Sequence, residues 1–147
     1  MKNAIIKQLL RAKKMHVSVA KKNLSIAHLN LEKIRRQIEI LEAELFKIKK
    51  DSTIRQEKAL REALRENFNI VSHTRVCNVY KLLDEEILRQ NKKIWQEHRA
   101  ERDALNKIVK AQAILTKSMQ KEEKISYVVD KVMREELVRN TIIDEVL

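Results

Sequence analysis

Residues 6–48, IKQLLRAKKMHVSVAKKNLSIAHLNLEKIRRQIEILEAELFKI, decide the fold. Stepping alternately by four and three from Ile6 meets Leu10, Lys13, Val17, Ala20, Leu24 and Ala27. It continues through Leu31, Ile34, Ile38, Leu41, Leu45 and Ile48. Twelve of these thirteen positions are apolar, and Lys13 is the exception. A heptad period held this long predicts a left-handed coiled-coil seam rather than a generic amphipathic helix. Ala20 and Ala27 are small enough to let a partner helix come close. Ile26, Leu29, Ile40 and Phe46 lie off the line, either as a widened stripe or as a docking surface.

The rest of the composition agrees. The 147 residues contain no glycine and no proline, where average usage would supply roughly 17. Positive-φ turns default to glycine, so sheet-rich folds, phosphate-cradling loops and multi-layered α/β folds are close to excluded. Charged residues make up 36% of the chain and aromatics 3%, which argues against a wide core, while 44% hydrophobics are too many for disorder. The expected class is all-α, with two long helices in an antiparallel coiled-coil hairpin as a single domain.

The second arm keeps a looser heptad from Val76 through Leu83, Ala104, Leu115 and Val129 to Val146, with fourteen of twenty-one positions apolar. Glu97 with Glu101, and Ser118 with Glu122, interrupt it, and a register shift or splaying is expected there. Trp95 reads as a residue packed on the flank of the seam, with a partner anchor as the alternative. Between the arms, Glu66 to Asn78 is rich in asparagine, serine and threonine, which compete for backbone hydrogen bonds. Asparagine also tolerates the left-handed conformation that glycine would otherwise supply. The reversal is therefore placed at about 67–74, with arm one at about 1–66 and arm two at about 75–147. Asp51 to Thr53 is the fallback, because Thr53 with Gln56 fits a capping box. Five i, i+4 pairs (Glu32–Arg36, Glu57–Arg61, Glu85–Arg89, Asp103–Lys107, Glu135–Arg139) support helix throughout.

The formal net charge is +11, which favours an acidic partner of some kind. Residues 1–31 hold seven bases and no acid, whereas residues 122–147 hold seven acids and four bases. In a hairpin these ends lie side by side, so the lysines are expected to pair with the returning acidic end. A lone cysteine, Cys77, forms no internal disulfide and reads as a small apolar residue near the turn. No apolar run approaches the roughly 18 residues of a membrane span. The acid-free opening continues the helical register, which argues against a transit peptide.

No catalytic constellation is visible, and an enzyme is not expected. The histidines, His16, His28, His73 and His98, read as dispersed and outside ligand spacing. Paired acids such as Glu85–Glu86 sit adjacent on a helix and do not converge. No cofactor is implied. Nucleic acid is not favoured, because the basic residues are spaced through the seam region and stacking aromatics are scattered.

The architecture resembles the FliJ/YscO family, small stalk proteins of flagellar and virulence type III secretion machines. The opening Leu9-Leu10-Arg11-Ala12-Lys13-Lys14 is similar to that family's basic start. The segment Lys110 to Val132, with Lys121-Glu122-Glu123-Lys124 at its centre, looks like its second-arm pattern. The resemblance implies a non-enzymatic cytoplasmic stalk that inserts into a hexameric secretion ATPase, promotes its assembly and activity, and couples it to the export-gate membrane protein. Some members also handle secretion chaperones, and the association with the inner membrane is peripheral, through partners. On that reading Lys7, Arg11, Lys13 and Lys14 meet acidic loops of the ATPase ring, and Ile40 and Phe46 are the candidates for the gate contact.

Overall fold

A computed structural model describes residues 2–146 as two α-helices packed antiparallel, α1 (Lys2–Arg65) and α2 (Ile70–Val146), with no strand among the described residues. The expected all-α hairpin is the observed one.

The reversal is shorter than expected. Helix α1 stops at Arg65, and Asn67 takes φ 55°, the left-handed value that glycine normally supplies after a helix. Asn69 then caps α2. Its side-chain Oδ1 accepts the Ser72 N–H at 2.9 Å, and the Ser72 Oγ accepts the Asn69 N–H at 2.8 Å. This reciprocal pair is a capping box in which serine serves at the third helical position. Residues 70–74, expected in the turn, are therefore the first turn of α2. Thr74 bonds back to the Ile70 carbonyl inside the helix at 2.8 Å instead of breaking it. The fallback turn does not form either: α1 runs unbroken through Asp51–Thr53, and Thr53 donates to the Lys49 carbonyl at 3.1 Å.

These geometries predict two opposite effects. Replacing Asn69 by alanine should cost about 1 kcal/mol of stability. Replacing Asn67 by glycine should be neutral or stabilising by up to about 1 kcal/mol, since glycine carries no penalty at positive φ. Thermal melts of the two variants check both signs.

The chain divides by its internal packing into two units, Met1–Asn30 with Ala104–Leu147, and Leu31–Asp103. In the first unit Val17, Ala20 and Leu115 form a buried cluster with Leu24 packed against it. Ala104 and Val129 are also buried, and Lys13 is half-buried at its seam position. In the second unit Leu31, Ile38 and Leu41 are buried on α1, and Val76 and Leu83 on α2.

All thirteen first-arm seam residues are buried or half-buried, and their neighbours along the helix are exposed. Past Ile48 the covered positions are Ser52, Gln56, Ala59 and Ala63, two consecutive steps of four before the alternation resumes. Such an inserted step locally unwinds a coiled coil, and the small Ser52 and Ala63, each 4% exposed, suit a close approach there. The second arm corrects an expectation. Glu97, Glu101, Ser118 and Glu122 are half-buried in unbroken register, so the seam passes through them without a shift. A seam between only two helices leaves its edges wet, so a carboxylate can keep its head in solvent while its stem lines the contact. Glu101 does this, reaching Arg35 at 3.5 Å. The final stretch differs from its neighbours: residues 133–146 are exposed, including the seam-register positions Glu136, Arg139, Ile143 and Val146.

Candidate functional site

The residues singled out by sequence fall into separate places. In the first unit, Lys7, Arg11 and Lys14 each follow a seam residue (Ile6, Leu10 and Lys13), so they share one flank of α1 with Lys21, and all four are exposed. Lys13 is not part of that group. It occupies the seam itself and faces α2, so its charge is presented beside the partner helix and not on the basic flank.

In the second unit Ile40 and Phe46 are 52% and 71% exposed. Six residues of helix separate them, which is about 120° around the axis, so they do not make one patch. Trp95 is not packed on the flank of the seam either. It is 56% exposed, and the Arg99 guanidinium lies over its ring at 6.0 Å. The geometry is a weak cation–π pair that presents an amphipathic surface outward.

The expected pairing of the basic and acidic ends does not appear as ion pairs. Among the described side chains, no salt bridge joins residues 3–30 to residues 104–146; the cross-helix bond there runs from the Asn3 amide to the Glu136 carboxylate. Of the five i, i+4 pairs, Glu32–Arg36 and Glu57–Arg61 close, at 3.8 and 3.7 Å.

His73 and Cys77 correct the reading of dispersed histidines. They stand four residues apart on one turn of α2, with the sulfur 3.8 Å from both ring nitrogens. Cys77 is exposed, not a packed apolar residue. Phe68 meets the same His73 ring edge-on, with centroids 5.6 Å apart. Among the described residues no group of three or more His, Cys, Asp or Glu is placed to hold a metal ion. Beside the turn, Ala59, Ala63, Val76, Val79 and Leu82 line a cleft of about 280 Å³, with Glu66 and Arg75 paired at 3.4 Å on its border. No described helix is long and apolar enough to cross a membrane.

One feature of the first unit escaped sequence reading. The residue preceding each seam position of α2 from Ile108 to Val132 is Lys107, Lys110, Lys117, Lys121, Lys124 or Lys131, or else Ile114 or Val128. All are exposed. The signal was present in the same alternating step, begun one residue earlier than the seam.

The geometry defines a class, a two-helix all-α hairpin whose distinctive chemistry lies on its flanks. Comparison with protein-family models, curated proteins and solved structures gives no match to this chain.

Proposed function

We propose that this hairpin is a non-enzymatic stalk component of a bacterial type III secretion apparatus, working in the cytoplasm. It binds the hexameric secretion ATPase, promotes its assembly and activity, and couples it to the export gate. The observation that carries the reading is the basic flank of the first unit. Lys7, Arg11, Lys14 and Lys21 lie along one edge of α1, exposed and without an ion-pair partner among the described residues. A seven-residue spacing from Lys7 through Lys14 to Lys21 keeps the ammonium groups on one line. Such a line steers and orients a docking event with an acidic ring more than it adds raw affinity. Ile40, Phe46 and Trp95 supply separate exposed apolar contacts suited to a second partner such as the gate.

Reversing Lys7, Arg11 and Lys14 to glutamate tests this. Capture of the secretion ATPase from the native host should fall about tenfold, with secretion falling alongside. The helical content should stay unchanged, because all three side chains are exposed. Unchanged capture and secretion would remove the basis for the reading.

A further inference from the structure

The row of lysines on α2 has a counterpart on α1. The residues preceding the α1 seam positions from Ile6 to Leu31 are Ile5, Leu9, Ala12, Val19 and Ile26, with His16, Asn23 and Asn30 at the remaining steps. Every one of the eight is exposed, and none is Asp, Glu, Lys or Arg. That is unusual in a chain whose charged fraction is 36%.

Both rows lie in the first unit and share one edge of it. Turning one helix end for end about an axis perpendicular to the pair keeps each flank on its own side. Residues that precede the seam on α1 therefore lie beside residues that precede it on α2. The opposite flank shows the same rule in the second unit, where Glu42 and His98, which follow Leu41 and Glu97, meet at 3.8 Å.

The edge thus carries an uncharged, half-apolar line beside a cationic one, each about 36 Å long at the rise of an α-helix. None of the six lysines is in a salt bridge among the described residues. Acids of this stretch of α2 stand elsewhere around the helix: Glu122 in the seam, Glu123 and Asp130 on the far side from the row.

We infer that this edge is a docking groove for an acidic amphipathic helix of a partner protein, about 25 residues long, which would make a third helix on the first unit. Its apolar stripe packs over Ile5, Leu9, Val19 and Ile26 together with Ile114 and Val128. Its carboxylates meet Lys110, Lys117, Lys124 and Lys131.

Three features favour a helix over other anions. Both rows advance by the alternating three and four residues that a second helix matches. Asn23 and Asn30 stand inside the uncharged row, where a helix offers hydrogen-bond partners and fixes register; immersed in lipid they would go unpaired, at a cost. A phosphate backbone would leave the apolar row unused, and the edge offers neither arginine nor a series of aromatics for base readout or stacking. The proposal does not depend on the ATPase reading, which concerns the other flank.

The test uses the full chain and a fluorescent 28-residue probe peptide, designed with leucine on its seam and glutamate on both flanks. A scrambled peptide of identical composition is the control. Anisotropy should show the probe binding at least about tenfold more tightly than the scramble, with affinity falling as salt rises. Reversing Lys110, Lys117, Lys124 and Lys131 to glutamate should weaken it about tenfold or more. Reversing Lys7, Arg11 and Lys14 should change it less than about twofold, and that variant reports separately on ATPase capture. Circular dichroism confirms that both variants stay helical.

Equal binding of the scramble, or equal loss from both variants, overturns the proposal. So does a finding that vesicles of anionic phosphatidylserine, duplex DNA or a second copy of the chain occupies this edge in preference to the peptide. Ala12→Lys with Val19→Lys provides an independent check: it removes apolar contact while adding charge, so it should abolish the probe's preference over the equally charged scramble while enhancing binding to DNA.

Discussion

Replacing Leu115 by aspartate should lower the unfolding free energy by about 4 kcal/mol, enough to consume much of the stability of an ordinary domain. Leu115 is 8% exposed and packs in the cluster of Val17 and Ala20 on the opposite helix. The substitution loses the transfer energy of a leucine and places a carboxylate, too short to reach the wet edge as a glutamate does, against apolar Val17 and Ala20. Ile114, its neighbour, is 58% exposed. Ile114→Asp removes a similar amount of hydrocarbon and incurs the same helix-propensity cost of roughly 0.6 kcal/mol, with little else to lose. The two variants differ by one residue in position and should differ several-fold in effect. Urea titration followed by circular dichroism measures both. Amide hydrogen exchange adds a local readout: in Leu115→Asp, fast exchange should appear first in residues 2–30 and 104–146. Equal destabilisation by the two variants would contradict the seam assignment for this unit.

The seam itself was legible because a coiled coil writes its geometry straight into the sequence. Ile6 through Ile48 are covered as the period requires, down to the one cationic member, Lys13. Absence of glycine also pointed correctly to asparagine at the reversal, and Asn67 holds the positive φ. The extent of the turn was misread for a definite reason. Asn69, Ser72 and Thr74 disfavour helix interiors, but the same hydrogen-bonding groups start helices. What separates the two uses is spacing: asparagine three residues before serine closes a reciprocal cap.

The polar residues of the second seam were misread because hydropathy was taken as a measure of burial. Between two helices a seam residue is covered on one side only, so Glu97 and Glu122 can hold position with their carboxylates at the edge. Charge led to a further error. Opposite net charges at the two ends suggested ion pairs, yet Glu122 is half-buried in the seam and Glu136 takes its cross-helix bond from the Asn3 amide. Net charge fixes no partner; the angular position of each residue does. The same point explains why the lysine row was missed. Counted along the sequence, Lys107 to Lys131 looks like a mixed helix, and only sorting by angle separates six lysines from the acids between them.

Gln90→Leu should raise stability while loosening specificity. Gln90 is 5% exposed, and its amide donates to the Leu41 carbonyl at 3.0 Å and to the Glu44 carboxylate at 3.1 Å. Neither acceptor is stranded by the substitution. Within α1 the Leu41 carbonyl keeps its helical N–H donor, and the exposed Glu44 returns to water. Leucine then gains apolar burial where the amide gained about 1 kcal/mol from hydrogen bonds. The net should be an increase of about 1 kcal/mol, or about 3 °C in melting temperature. Gln90→Ala should go the other way, losing the hydrogen bonds and leaving a void, at a cost of about 1 to 2 kcal/mol. The gain in Gln90→Leu comes with a loss. A polar residue in a coiled-coil seam penalises alternative registers and chain numbers, because only one alignment satisfies it. With leucine there, α1 and α2 can also pair with the helices of a second chain at little extra cost. Sedimentation and light scattering should therefore show a dimer that grows with concentration, and a melting temperature that rises with it. If Gln90→Leu instead melts lower than the parent, the amide is worth more as a stabilising contact than as a register lock, and the seam at this point tolerates no apolar replacement.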